Sequence, residues 1–418
     1  MPTPFVRYLL PATTDSETEQ PAPVSPWFRV SNTVTDRFPF PVKRIGIIGG
    51  GQLGRLMVMA AHKLGCAATV LDPYRNSPAG QLAGHEIVGN LDDPGPIRDL
   101  VETCEVTTFD IESIAADVLI DLARHGHTIR PDPTLLALIQ DKLTQKQRFD
   151  EAGIPTAEFI AMDRPSAEAF RQFGYPLVQK ARRGGYDGRG VAVMKDEEDF
   201  HRVLDVPGLV ERCVDTEKEL AVMVVRSLEG EMRCYPVVEM VFQSEQNILD
   251  QLLAPAQIDS GLAAQVQQLA MKTVSALGGV GIFGVELFLT RQGELLVNEV
   301  APRTHNSGHY TIEACVTDQF EQHLRAVLGL PLGATDLLRP AVMLNLLGEP
   351  GFRGRPQIVG LQAALAIPGT SVHLYGKAET RPYRKMGHVT VLDEDLDSAR
   401  DKARRVSQLL RIEGEESL

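Results

Sequence analysis

The chain has 418 residues, with 42 Lys and Arg against 55 Asp and Glu, giving a formal net charge of -13. It is 43% hydrophobic and 23% charged, so it can bury a substantial core, and at about 100–200 residues per domain its length suits two to four domains. The acidic balance excludes the electrostatic footprint of a general nucleic-acid or anionic-membrane binder, while leaving room for a locally basic pocket that takes small anions.

Five cysteines, Cys66, Cys104, Cys213, Cys234 and Cys315, are widely spaced and form no CxxC pair. That pattern speaks against a disulfide framework or a zinc site and for small, mostly buried apolar residues. No run of about 18 apolar residues is present to span a bilayer, and the start lacks the apolar core of a secretory signal. A cytoplasmic protein with no membrane or nucleic-acid partner is expected.

In chain order, residues 1–42 are rich in Pro, Thr, Ser and Glu and read as a disordered tail. Arg44–Ile48 reads as a buried strand, Gln52–Leu64 as a helix and Ala67–Leu71, ending at Asp72, as a second strand. Together they form a βαβ unit with a parallel sheet. Further strands are expected at Val106–Phe109 and Thr128–Arg130, and this first domain, 43–133, closes where Pro131 and Pro133 bracket Asp132. A second domain, 134–335, opens with a helix over Leu135–Ala152. Strands Pro176–Ala181 and Val191–Met194 then flank a glycine-rich loop. Alternation predicts antiparallel strands at Leu220–Arg226 and Arg233–Val238, a helix at Leu262–Leu277, and strands Gly281–Leu289 and Glu294–Val300 joined by Arg291-Gln292-Gly293. The remainder, 336–418, carries short strands, a loop at Tyr375–Lys385 and an amphipathic helix at Leu396–Leu410. The fold class is α/β combined with α+β.

Gly49-Gly50-Gly51-Gln52-Leu53-Gly54 is a G-x-G-x-x-G turn between strand and helix, with Asp72 at the end of the next strand. Alone, it admits a nicotinamide or flavin enzyme with Asp72 on the ribose, or merely a tight α/β turn that offers a helix N-terminus to an anion. Lys180-Ala181-Arg182-Arg183-Gly184-Gly185-Tyr186-Asp187-Gly188-Arg189-Gly190 departs from G-x-x-x-x-G-K-[ST]. A glycine-rich loop between antiparallel strands, preceded by a strand lysine, suits a lid over a triphosphate, whose charge Lys180 and Arg189 offset. Glu286 interrupts an apolar strand, and Asn298-Glu299 ends the next, so hairpin pairing sets two carboxylates at one end of the sheet. Hard oxygen ligands so placed suit Mg²⁺ shared with substrate phosphates, with Mn²⁺ as a substitute. The donor-dense segment Arg303–Tyr310 follows, where Arg303 can stabilise an acyl-phosphate and His305 is the histidine to watch. Lys377, Arg381, Arg384 and Lys385 lie among glycines and aromatics and point to phosphate recognition.

These motifs, in this order from Arg44 almost to the C-terminus, resemble the 5-(carboxyamino)imidazole ribonucleotide synthetase family of the ATP-grasp superfamily. The resemblance implies a preATP-grasp domain, an ATP-grasp domain and a small β-rich C-terminal domain. It also implies a reaction in which ATP and bicarbonate give carboxyphosphate, whose carboxyl group passes to the exocyclic amine of 5-aminoimidazole ribonucleotide. By that resemblance, Lys142 and Lys180 bind ATP, together with Gly185, Tyr186, Asp187, Gly188, Arg189, Gly190 and Val191. Glu211, Arg212, Cys213 and Val214 line adenine, Glu219 holds the ribose, and Asn298 and Glu299 stand at the phosphates. Glu286 and Glu299 carry Mg²⁺. The aminoimidazole nucleotide meets Gln52, Leu53, Glu112, Tyr186, Asp187, Arg189, Arg303, His305, Lys377 and Arg384, with Arg303, Asp187 and His305 catalytic. A homodimer is implied as well. Among rivals, another ATP-grasp ligase such as a formate-dependent glycinamide ribonucleotide transformylase shares the ATP chemistry, whereas a dehydrogenase leaves the lid and the paired acids unexplained.

Overall fold

The computed structural model describes residue 40 and residues 42–184, 190–243 and 248–417. Most of the expected tail, 1–42, and the lid residues Gly185, Tyr186, Asp187, Gly188 and Arg189 therefore lie outside the described residues.

The N-terminal region is a parallel four-stranded sheet in the order His85–Val88, Ala67–Asp72, Arg44–Ile48, Val106–Phe109. Strand order reverses beside Arg44–Ile48, which opens a crevice at the carboxyl ends of that strand and Val106–Phe109. Ile45, Ile47, Met57, Val58 and Val70 are buried between this sheet and the helix Gln52–Lys63. Thr128–Arg130 does not become a strand: it makes an isolated bridge from Ile129 to Thr107.

A four-stranded antiparallel sheet carries Leu177–Ala181 hydrogen-bonded to Val191–Met194, with Lys180 opposite Val191. The loop between them leaves through Gly184 at φ +77° and returns through Gly190 at φ +71°, backbone states that residues with a Cβ rarely adopt.

The largest sheet is antiparallel and has nine strands among the described residues. Its longest strand, Thr216–Arg226, pairs with Gly281–Thr290, which pairs in turn with Leu295–Ala301. Alternation along Gly281–Thr290 sends Phe283, Val285, Leu287 and Leu289 into one core with Val266, Ala270 and Val274 of the helix Ser260–Leu277, and leaves Glu286 on the opposite face. The C-terminal strands Ala341–Leu347, Lys385–Leu392 and Thr370–Leu374 extend the same sheet through Ile248–Ala254, so these three strands continue the central layer.

Two further expectations need correction. The single helix Leu135–Ala152 is two, Pro133–Ile139 and Lys142–Glu151, because Asp141 caps the second through Leu143 N (3.1 Å) and Thr144 N (3.3 Å). The strand Arg233–Val238 is broken into Met232–Cys234 and Val238–Gln243, since Pro236 has no N–H to give the ladder and Tyr235 turns inward to donate its hydroxyl to Thr317 O. A strand after the last helix, Arg411–Ser417, pairs with Phe352–Val359 and was not anticipated. All five cysteines are free, two of them buried (Cys66 and Cys315) and three half-buried.

Candidate active site

The paired acids are opposite one another: Glu286 is the register partner of Glu299. A bulge follows, so that Leu287 pairs with Val297 and Asn298 is the extra residue. The bulge lets two consecutive residues reach the cleft, where Lys180 Nζ donates to Asn298 Oδ1 (3.0 Å) and Lys142 Nζ donates to Glu299 Oε2. Gln145, one turn along from Lys142, fixes the strand beyond Glu299 by exchanging bonds of 3.2 Å with the N–H and C=O of Val300. Arg182 bridges to Asp141 (2.6 Å), and its carbonyl accepts from Lys142 N (2.9 Å), tying the strand of Lys180 to the helix of Lys142.

The lysine at Glu299 holds that carboxyl below the usual range, whereas burial and the charge of Glu299 push Glu286 upward. Two acids facing each other, one of them resisting ionisation, fit a hard divalent cation that removes the repulsion. Among the described residues no group of three or more His, Cys, Asp or Glu side chains could hold a metal unaided. The pair Glu286 and Glu299 suits an ion that takes its other ligands from water and phosphate oxygens, as Mg²⁺ prefers.

Glu211, in the strand Gly208–Arg212, is buried with Lys180 at 2.7 Å from Oε2 and Lys146 at 3.2 Å from Oε1. Its side chain therefore faces the lysines. Arg212 is committed to packing, with its guanidinium on Phe173 O (2.8 Å), Gly174 O (3.1 Å) and Glu158, and its N–H donating to Glu158 O (2.9 Å). Cys213 and Val214 follow, half-buried, with Cys213 N donating to Pro176 O (3.2 Å). Glu219, opposite Met240 and Phe288, is pushed up to about 7 by burial and so is largely protonated below neutral pH.

On the other side of the cleft the glycine turn folds onto acids. Each carboxylate oxygen of Asp72 accepts from the backbone, one from Gly50 N (2.8 Å) and the other from Tyr74 N (2.9 Å), so Asp72 braces the turn. Asp110, at the end of Val106–Phe109, accepts from Gly54 N (2.9 Å), and a Cβ on Gly49 would sit 1.7 Å from its Oδ1. Asp110 was not singled out from the sequence; the signal was an acid at the carboxyl end of a buried strand beside the switch point. Gln52 begins the helix, half-buried, while the Leu53 side chain is packed in the core and only its backbone faces the turn. Glu112 lies 2.8 Å from Arg303, which brings the two regions together. Burial opposes the Arg303 charge, but Glu112, Asp110 and Glu299 outweigh it and keep the guanidinium firmly protonated.

His305 Nε2 is 3.4 Å from Glu286 Oε1 and its Nδ1 is 2.9 Å from Ser307 Oγ. Gln319, fully buried and unpredicted, grips the His305 backbone from both sides, accepting from its N–H (2.9 Å) and donating to its C=O (2.8 Å). From the C-terminal part, Gly376 O accepts from Gln81 Nε2 (2.7 Å), so the Tyr375–Lys385 loop reaches the N-terminal region. In that loop Lys377 Nζ donates to Lys385 O (2.7 Å) and Arg384 to Glu379 O (2.7 Å). Beneath it His309, His388 and His373 stack with centroids 4.6 and 4.4 Å apart, and Tyr375 Oη is hydrogen-bonded to His388 Nδ1 (2.9 Å).

This geometry has counterparts in known proteins. Family models match in the same order: the ribonucleotide synthetase preATP-grasp domain over residues 42–140, the ATP-grasp domain over 147–320, and the phosphoribosylaminoimidazole carboxylase C-terminal domain over 341–402. The N5-carboxyaminoimidazole ribonucleotide synthase of Bacillus subtilis is 40% identical over 364 residues, which is 86% of this chain and 93% of that protein. The crystal structure of N5-carboxyaminoimidazole ribonucleotide synthetase from Thermotoga maritima superposes with a TM-score of 0.84 at 51% identity, covering 89% of this chain and all of that one. The Aspergillus clavatus synthase, solved with ADP and 5-aminoimidazole ribonucleotide, gives 0.80 at 34% identity, over 88% of this chain and 98% of that one. Of the longer phosphoribosylaminoimidazole carboxylases that it matches, the chain spans about two thirds. Three matched domains and near full-length relatives at this identity leave one assignment: the chain belongs to the N5-carboxyaminoimidazole ribonucleotide synthetase family of ATP-grasp ligases.

Proposed function

We propose that this chain uses ATP and bicarbonate to carboxylate the exocyclic amine of 5-aminoimidazole ribonucleotide, as a step of purine biosynthesis, through carboxyphosphate. The single observation that carries the reading is the register pair Glu286–Glu299, with Lys142 and Lys180 beside it, across a cleft from Arg303 and the glycine turn. Lys142 and Lys180 would meet the phosphates, the backbone of Glu211, Arg212, Cys213 and Val214 the adenine, and Glu219 the ribose. Mg²⁺ on Glu286 and Glu299 would offset phosphate charge.

A bicarbonate oxygen attacks the γ-phosphorus and ADP leaves. The amine nitrogen, oriented by Asp187 as the resemblance implies, then attacks the carboxyl carbon of carboxyphosphate, the bond to the phosphate oxygen breaks, and the released phosphate takes up the amine proton. Arg303 holds charge on the acyl-phosphate, and water is kept out by the lid containing Tyr186 and Arg189. Gln52, Glu112, Lys377 and Arg384 hold the ribonucleotide. Three domains near 43–133, 134–335 and 336–418, a homodimer and a cytoplasmic location belong to the same reading, supported by the resemblance. Among the described residues no helix is long and apolar enough to cross a membrane.

The test is product identification from ATP, labelled bicarbonate and 5-aminoimidazole ribonucleotide. Label retained on the nucleotide together with ADP release is expected. ADP release driven equally well by formate and a different amine acceptor would transfer the chain to the transformylase-like ligases.

A further inference from the structure

Lys146 has no place in the chemistry above, yet it is one of the most buried charged side chains of the molecule, with 4% of its side chain exposed. It lies one helical turn after Lys142, so the helix Lys142–Glu151 presents two lysines to the cleft. We propose that Lys146 is a positioning residue for nucleotide binding: by holding Glu211 it leaves Lys180 free to pass from Glu211 to the triphosphate. The proposal rests on Lys180 being a phosphate ligand, as inferred above.

The two lysines divide the Glu211 carboxylate between them, Lys146 at Oε1 (3.2 Å) and Lys180 at Oε2 (2.7 Å). Their surroundings differ. Lys146 Nζ also donates to Thr156 Oγ1, whose own proton goes to Val297 O (2.7 Å), and it lies 3.5 Å from Val297 O, so its end is fixed on all sides. Lys180 meets Glu211 and Asn298 and keeps 12% of its side chain open to the cleft. Of the pair, Lys180 is the one that can swing towards a ligand.

Charge explains why a second lysine is needed. Two lysines and one glutamate sum to +1 in a buried cluster. With Lys146 neutral, Glu211 would be a buried carboxylate with Lys180 as its only cation, and drawing Lys180 away would strand it. Burial lowers the Lys146 pKa to about 8, so it remains mostly charged at neutral pH and loses that charge just above.

The test compares Lys146→Met, Lys146→Arg, Lys146→Met/Glu211→Gln and Lys180→Met in the full chain, reading KM for ATP, kcat and thermal unfolding. Lys146→Met sums to zero and should raise the ATP KM by about tenfold or more, the equivalent of about 1.4 kcal/mol. The double variant restores +1 without a carboxylate to trap Lys180, and should recover most of that loss. Lys146→Arg keeps the charge and should stay nearer the parent. An unchanged ATP KM in Lys146→Met overturns the proposal. So does a raised KM that the double variant fails to recover, because loss of packing alone would behave that way. If Lys146→Met does not fold, the comparison of Lys146→Arg and the double variant with the parent decides by the same criterion. A Lys180→Met enzyme with unaltered ATP KM would instead remove the phosphate-ligand reading itself.

Discussion

Replacing Gln319 by leucine probes how the loop at His305 is set. The amide is fully buried and is bonded to one short loop, accepting from His305 N (2.9 Å), donating to His305 O (2.8 Å) and meeting His309 Nδ1 (3.2 Å). Leucine has nearly the same volume, so packing is largely kept while the His305 N–H and the His309 Nδ1 both lose this amide, and the His305 C=O keeps its bond from Gly308 N (3.0 Å). A polar group stranded in this way costs about 1–3 kcal/mol, so the loss is about 2–6 kcal/mol of preference for the observed loop conformation. At 1.4 kcal/mol per factor of ten, that depopulates the conformation by at least about tenfold. Lys142 and Lys180 are untouched, so kcat should fall about tenfold or more while the ATP KM changes little. Steady-state ADP release at saturating 5-aminoimidazole ribonucleotide and bicarbonate measures this. A Gln319→Leu enzyme within twofold of the parent in kcat, with unchanged thermal unfolding, would show that the loop is held by other contacts and refute the reasoning. Gln319→Glu refines the case: one oxygen still accepts from His305 N, but the other opposes the carbonyl, so its loss should lessen as the new carboxyl is protonated at lower pH.

Glu286→Gln removes a carboxyl that burial and Glu299 disfavour, so without ligands the melting temperature should rise, while ATP turnover falls by about a hundredfold or more for want of a metal ligand; a lower melting temperature would contradict this account. Burial raises the Asp110 carboxyl from 3.8 to about 6, so the folded state binds the proton more tightly than the unfolded chain. Its contribution to stability is thus fullest at low pH and is lost as pH rises from about 4 to above 6, in total about 3 kcal/mol. The stability difference between the parent and Asp110→Asn should therefore shift in favour of the parent between pH 7.5 and 5, as read by thermal unfolding at each pH. His388→Leu removes the middle ring of the histidine stack and the hydroxyl partner of Tyr375, next to Gly376 and Lys377. It should raise the KM for 5-aminoimidazole ribonucleotide by about tenfold and leave that for ATP alone, the reverse of Lys146→Met.

The sequence alone determined what depends on near neighbours. The strand Arg44–Ile48, the glycine turn, the helix that follows, the hairpin across the lid and the facing of Glu286 with Glu299 were all legible, because period-two alternation, glycine positions and a three-residue turn act within a few residues of the chain. The same reasoning missed the break at Asp141, where a side-chain cap outcompeted a continuous helical pattern, and left the role of Asp72 open, since spacing says where a carboxylate lies but not what it is bonded to. Tertiary structure decided the rest. Arg303 meets Glu112 across 191 positions, Gln81 meets Gly376 across 295, and Lys146, Asp110 and Gln319 acquire meaning only from the surfaces packed against them. The C-terminal strands likewise join the central sheet because Ala341–Leu347 pairs with Ile248–Ala254. Such pairings arise from which faces come together when apolar surface is buried, and no local pattern of residues encodes that choice.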